Sequence, residues 1–222
     1  MSELNLILIG PPGAGKGTQA DHLQKDFDLP YLATGDMMRA KRREDSELGR
    51  KIDAIISDGG LVDDDVVCEV LIQRIESEGD DGFLLDGFPR TEGQADILEG
   101  ALERRSRALT AVLLLEAPDE VIVKRLGGRR QCEDGHVYHL EANPPKEEGV
   151  CDVDGKPLHL RDDDEPETIA KRLETYHRET EPLVERYEDE GLLRRFDGTR
   201  PPDEVHGHIR STLATLQLEE RL

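Results

Sequence analysis

No stretch of the 222-residue chain approaches the roughly 18 consecutive apolar residues that a membrane span requires. Met1 to Ile9 carries neither the basic flank nor the small-residue cleavage site of a leader. Cysteine is scarce: three residues do not make a disulfide framework. The expectation is a cytoplasmic protein. Positive charge is also in deficit, since 29 Lys and Arg stand against 50 Asp and Glu, for a formal charge of −21. A mean field of that sign repels polyphosphate chains and anionic lipid, which excludes nucleic acid and membrane surfaces as general partners. Lysine is the rarer cation, only eight of the 29. Excess acid with little lysine suits a halophilic protein, kept soluble in strong salt where charges are screened over a few ångströms.

Apolar residues are present in sufficient number to form a core. They make up 36% of the chain and come in dense blocks, and the length fits one core carrying insertions. Leu4 to Ile9, Phe83 to Asp86 and Ala111 to Leu115 read as buried strands, with shorter ones near Tyr31 to Ala33 and Leu192 to Phe196. Amphipathic helical stretches lie between them, at about 15–27, 63–78, 91–105, 118–126, 165–190 and 201–218. Strands alternating with helices predict an α/β fold with a parallel five-stranded sheet covered on both faces. Two segments break the rhythm. Residues 35–62 are helical and polar with no strand, and 129–164 has Cys, His, Gly and Pro144-Pro145 with no helical period, as a small β-rich or loop-rich insertion would.

Gly10-Pro11-Pro12-Gly13-Ala14-Gly15-Lys16-Gly17-Thr18 joins the first strand to the first helix. Glycines let backbone N–H groups converge on an anion, the helix N-terminus adds a positive dipole, and Lys16 can reach the outer phosphates. The general phosphate-loop pattern places Ser or Thr directly after the lysine; here Gly17 intervenes and the hydroxyl is on Thr18. Nucleoside triphosphate binding is predicted, with Gly13, Ala14, Gly15, Lys16, Gly17 and Thr18 as its loop.

Gly15 to Gln19, Thr34-Gly35-Asp36-Met37-Met38-Arg39, Asp86-Gly87-Phe88-Pro89-Arg90 and Arg129-Arg130 together resemble the adenylate kinase family, over Leu4 to about Val205 and in the family's long-lid form. The resemblance implies a three-layer phosphate-loop NTPase fold. It divides the chain into a core (1–32, 63–128 and 165–222), an AMP-binding insertion (33–62) and a lid (129–164). It implies phosphoryl transfer from MgATP to AMP giving two ADP, on a monomer. Other nucleoside monophosphates (UMP, CMP, GMP), or an ATPase switch engaging a protein or RNA, remain as rival readings. The acceptor is an already ionised phosphate oxygen, so the chemistry calls for cations holding two anions in line, for which arginine's planar fork is suited.

On the family pattern Arg125, Arg129, Arg161 and Arg172 grip phosphates, Arg129 and Arg161 from the lid edges, while Arg39 and Arg90 hold the phosphate of AMP. Lys124 and Arg130 read equally well as solvated or acid-paired. Thr34, Gly60, Leu61 and Val62 would frame the acceptor base, completed by Gly87, Phe88, Pro89, Arg90 and Gln94; the alternative for Gln94 is an exposed helical position. Val137, Tyr138 and Arg200 would flank ATP. Asp86, an acid ending a buried strand, either caps the next turn or orients Mg²⁺ through water. Asp36 has no assigned role.

Some members of the family hold the lid with zinc on two Cys-containing pairs. Cys151-Asp152-Val153-Asp154 fits that pattern; Cys132-Glu133-Asp134-Gly135-His136 lacks the second ligand, which Asp134 or His136 could supply to Cys132, Cys151 and Asp154. Zinc, two unpaired thiols and a disulfide stand as alternatives here, and Cys68 reads as core.

Overall fold

The computed structural model describes residues 3–42, 47–58, 60–78 and 82–219. Its elements run β1 (Leu4–Ile9), α1 (Lys16–Phe27), β2 (Tyr31–Ala33), α2 (Thr34–Arg42), α3 (Glu47–Ser57), α4 (Asp64–Glu78), β3 (Gly82–Asp86), α5 (Glu92–Glu103), β4 (Ala111–Glu116), α6 (Asp119–Gly128), β5 (Arg129–Gln131), β6 (Val137–His139), α7 (Pro166–Thr175), α8 (Pro182–Asp189), β7 (Leu193–Asp197) and α9 (Pro202–Glu219). Of the expected 33–62 insertion, residues 43–46 and 59 lie outside the described residues.

Five strands form one parallel sheet in the order β2-β3-β1-β4-β7. β1 is central and all six of its residues are buried, the burial pattern that a continuous apolar run between two helical layers requires. Its alternation divides the core. Leu6 and Leu8 face the layer of α1, α6, α7 and α9, where Leu23, Ile122, Ile169 and Ile209 pack. Ile7 and Ile9 face α4, α5 and α8, through Leu71, Leu98 and Tyr187. Each such side chain contributes about 1.5–3 kcal/mol by leaving water. Cys68 belongs to the second cluster, as its apolar neighbourhood predicts. The chain passes from β1 outward to β2 and back through β3, then crosses to β4 on the other side of β1. That order creates a topological switch point at the carboxyl ends of β1, β3 and β4, where a crevice opens.

The single helical stretch expected over 165–190 is a correction. α7 gives way to a π turn over Tyr176–Thr180 before α8 begins. Pro182 has no N–H to continue the ladder, and the bond just before it runs from Glu181 N–H to Tyr176 C=O at 2.9 Å, one residue longer than in an α-helix. Residues 129–164 carry the antiparallel pair β5–β6, bridges Gln131–His159 and Val150–Pro157, and a small core of Cys132, Tyr138 and Cys151. A 3-10 turn, Asp162–Asp164, leads out of this segment. Among the described residues no helix is long and apolar enough to cross a membrane.

Candidate active site

The loop after β1 sits at the switch point. Gly10 has φ +144°, and a Cβ there would lie 2.3 Å from the Leu115 carbonyl, so only glycine lets β1 turn this close to β4. Gly15, at φ +103°, caps α1 without any side-chain acceptor, and the first turn of the helix has no acid. The N-terminal N–H groups are therefore left for an anion. Lys16 Nζ donates to the carbonyls of Gly10 (2.8 Å) and Pro11 (2.9 Å). Burial lowers its pKa to about 8; Asp86 opposes the shift, and Arg90, Arg172 and Arg129 add to it.

Seven arginines share this crevice with Lys16: Arg39, Arg90, Arg125, Arg129, Arg161, Arg172 and Arg200. Two buried acids of the 3-10 turn hold a pair of them. Arg129 donates from Nε and Nη2 to the Asp164 carboxylate (2.7 and 2.6 Å), and Arg172 Nη1 reaches Asp164 (2.8 Å) and the Asp163 carbonyl (2.7 Å). Burial works to raise the Asp163 carboxyl, but Arg172, Arg39, Arg161 and Arg129 outweigh it and hold the group below the usual range. The other arginines rest on neutral partners or local acids: Arg161 on the Gln131 side-chain oxygen, Arg125 near the Gly13 and Ala14 carbonyls at 3.5 Å, and Arg39 on Asp36 at 2.5 Å. Burial and mutual repulsion lower Arg90 to about 10 and Arg161 to about 9; Arg172 is also lowered. Crowded, poorly hydrated cations of this kind are poised to accept anions.

Arg90 is fixed through its backbone as well as its side chain. Its Nε donates to the Gly87 carbonyl at 2.7 Å, and Gly87 (φ +71°) has no Cβ to collide with the guanidinium. The N–H of Arg90 goes to Gln94 Oε1 (2.8 Å), and its carbonyl accepts from Thr180 Oγ (2.9 Å), a residue of the π turn. Gln94 is 2% exposed, so the exposed alternative is wrong; its amide also donates to Asp64 at 2.6 Å, which in turn receives the Thr91 hydroxyl at 2.7 Å. Thr34 donates to the Gly87 carbonyl at 2.7 Å.

All these groups border one cavity of about 1570 Å³. Single-ligand pockets run from about 300 to 1,000 Å³, so there is room for two nucleotides. Gly13, Ala14, Gly15, Gly17 and Thr18 line it on the loop side, Gly60, Leu61, Val62, Gly87, Pro89 and Gln94 opposite, and Val137, Tyr138 and Arg200 at the remaining wall. Phe88 does not line it: its ring is 1% exposed and packs in the core beneath the loop. Tyr138 turns most of its side chain into the small core of residues 129–164, where its hydroxyl accepts from Asp152 N–H at 2.8 Å. Arg200 pairs with Glu204 and Asp197, and Lys124 with Glu141 as its acid-paired reading has it, while Arg130 turns instead to the carbonyls of Gly127 and Arg129.

Asp86 ends β3 on the cavity wall, and its Oδ2 accepts a hydrogen bond from Tyr31 Oη at 2.8 Å. Sequence reasoning passed over Tyr31 as an ordinary strand residue. The available signal lay in pairing: Ala33 is the register partner of Asp86, and Tyr31 shares the face of Ala33.

The ligand-type atoms of Cys132, His136, Cys151 and Asp154 lie within 4.8 Å of one another. Asp154 Oδ2 is 3.0 Å from both Cys132 Sγ and His136 Nδ1, and Cys151 Sγ is 3.5 Å from the same nitrogen. His136 thus joins the three predicted ligands. Asp134 instead pairs with Lys156 at 2.7 Å. All three cysteines are free thiols, which removes the disulfide alternative.

Comparison with known proteins agrees with this geometry. A family model described as "Adenylate kinase" matches residues 8–192. The chain is 47% identical over 205 residues to the adenylate kinase of Streptomyces coelicolor, covering 91% of this chain and 94% of that one. It is 44% identical over 212 residues to the adenylate kinase of Methanosarcina mazei, covering 95% and 99%, and 44% identical over 204 residues to that of Staphylococcus aureus, covering 91% and 95%.

Proposed function

The chain belongs to the adenylate kinase family, and from that membership we propose a working site in which the cavity at the switch point takes ATP and AMP tail to tail. The activity is reversible phosphoryl transfer from MgATP to AMP, giving two ADP. The observation that carries the site assignment is the gathering of Lys16 and seven arginines around one cavity large enough for two nucleotides.

The transition state is loose and spreads charge over the oxygens of the transferring group, so catalysis consists of positioning and charge stabilisation. The Gly13–Thr18 loop and Lys16 hold the outer phosphates of ATP, aided by Arg125 and Arg129. Arg39 and Arg90 hold the phosphate of AMP, and Arg161 and Arg172 bridge the two. Thr34, Gly60, Leu61, Val62, Gly87 and Gln94 frame the AMP base. Gln94 supports this role only in part: with one N–H and one lone pair already engaged, one of each remains for adenine. Val137, Tyr138 and Arg200 flank ATP. Magnesium bound with ATP would neutralise charge on the phosphates, and Asp86 would be the residue to hold it, through water.

The core is formed by 1–32, 63–128 and 165–222, with an AMP-binding insertion at 33–62 and a lid at 129–164 whose closure excludes water as a competing acceptor. Zinc fits the lid cluster. Two thiols, an imidazole and a carboxylate are an ordinary tetrahedral donor set, and their mutual spacing brings four ligand atoms around one point. Bound there, it would staple the Cys132 and Cys151 turns together. The enzyme works as a cytoplasmic monomer adapted to high salt, without nucleic-acid or membrane partners; the charge of −21 supports the adaptation to salt and the lack of polyanionic partners.

ADP formation measured separately with AMP, UMP, CMP and GMP tests the acceptor assignment. Turnover with AMP should exceed the others by orders of magnitude, and the analogue of two adenosines joined through five phosphates should compete with both substrates. Comparable turnover with UMP, or steady ATP hydrolysis indifferent to AMP, would overturn the assignment.

A further inference from the structure

We propose that Tyr31 is a positioning residue for the phosphoryl transfer, whose phenol fixes the Asp86 carboxylate for the magnesium carried by ATP; this rests on the reading of Asp86 given above. Tyr31 opens β2 and borders the cavity, and its hydroxyl donates to Asp86 Oδ2 at 2.8 Å. Among the described residues, no other hydrogen bond from a protein group reaches the Asp86 carboxylate, so Oδ1 stays open to a metal-bound water. A carboxylate at a strand end is otherwise free to rotate, and a single directional donor fixes which oxygen faces the cavity.

The competing partner borders the same cavity. Lys16 feels the charge of Asp86, yet its ammonium gives its hydrogen bonds to the Gly10 and Pro11 carbonyls and makes no ion pair with that carboxylate. By occupying Oδ2, the phenol keeps Asp86 from turning onto Lys16. Such a pairing would withdraw one group from the metal's water and the other from the phosphates. Tyr31 thus keeps separate the two charges that must act on different parts of MgATP.

The test is equilibrium binding of ATP by calorimetry, with magnesium and with excess chelator, on the whole protein and on Tyr31→Phe, Asp86→Asn and the double variant. Phenylalanine keeps the ring and removes only the hydroxyl, so packing is retained. Tyr31→Phe should weaken MgATP binding by about three- to tenfold, the worth of one hydrogen bond, with a smaller loss of metal-free ATP binding through Lys16 and no change in the KM for AMP. In the Asp86→Asn background the same change should add nothing, because the phenol acts through that carboxylate. Equal losses with and without magnesium, or no loss in either, would overturn the role of Tyr31. A loss that persists at full size in the Asp86→Asn background would overturn it as well. If Asp86→Asn itself leaves the magnesium-dependent increment intact, the reading of Asp86 fails and the proposal with it. If Asp86→Asn abolishes the increment and Tyr31→Phe does not change it, the proposal alone fails.

Discussion

Replacing Lys16 by methionine should stabilise the nucleotide-free protein while removing its activity. The ammonium is held at a pKa of about 8, against 10.5 for a free lysine, chiefly by burial. Taken at face value that difference is a folding penalty of about 3 kcal/mol at neutral pH. Two effects reduce the gain from removing it. Water in the open cavity screens the charge, and the hydrogen bonds to Gly10 and Pro11, each worth about 0.5–1.5 kcal/mol, are lost with the ammonium. A net gain of roughly 1–2 kcal/mol remains, or about 2–8 °C in Tm for a chain of this size. The sign of the pH dependence follows from linkage. Between about 8 and 10.5 the unfolded lysine binds a proton that the folded one has released, so the wild-type protein gains stability as pH rises through that window. The advantage of Lys16→Met is therefore full below pH 8 and should have largely gone by pH 10. Urea denaturation of both proteins at pH 7 and pH 10 measures it. Saturating bisubstrate analogue should reverse the order, since binding at about a hundred times Kd adds about 2.7 kcal/mol to the protein that binds it. A variant no more stable than wild type at pH 7, or a gap that persists unchanged at pH 10, would refute the reasoning.

Arg90→Ala should raise the KM for AMP by at least about tenfold with little change in ATP binding; steady-state kinetics with each substrate varied in turn decides this, and an unchanged AMP response would remove Arg90 from the acceptor site. Protein purified without a His tag should contain one zinc per chain by elemental analysis, and a strong chelator should lower its Tm; absence of zinc together with indifference to chelator would leave the Cys132, His136, Cys151 and Asp154 group as a hydrogen-bonded cluster only. The urea midpoint should rise with KCl, because screening relieves repulsion among 50 acids on a chain of net charge −21. A midpoint that is flat or falling would reject adaptation to salt.

The sheet was legible where burial is complete. β1, β3 and β4 are the central strands, and a strand covered on both faces must be apolar at nearly every position, so Leu4 to Ile9, Phe83 to Leu85 and Ala111 to Leu115 advertise themselves. The phosphate loop was legible for a different reason: its chemistry needs particular residue types at fixed offsets. Three features were not legible, and each depends on pairing across the chain. The π turn follows from Pro182 acting on the end of α7, where periodicity continues unbroken. β5 and β6 have three residues each, too short for any alternation, and acquire their identity from each other and from the cysteine turns. Tyr31 matters through a partner 55 residues away. Gln94 illustrates the limit from the other side. Its residue type suggested exposure, but Asp64 and the Arg90 backbone supply the hydrogen bonds that make its burial affordable.

How a protein of such negative charge can hold two nucleotides is answered by where its arginines find partners. Away from the crevice several are outnumbered by acids: Arg186 alone faces Glu92, Asp96, Glu99 and Glu190, and Arg195 lies between Glu116 and Glu188. Inside it the balance inverts. Lys16, Arg90, Arg161 and Arg172 all have lowered pKa values, and in each case neighbouring arginines contribute after burial. Charges beyond about 8 Å are largely screened at physiological ionic strength, and beyond about 3 Å at 1 M salt. The acidic exterior therefore governs solubility and long-range repulsion, both of which salt weakens. In the proposed site a phosphate seated among the arginines would be held by contacts shorter than either screening length. Salt can then relieve the exterior without dissolving the site, provided the site's cations are buried and arranged in advance, which is the condition that Asp163, Asp164 and the Arg90 backbone clasp secure.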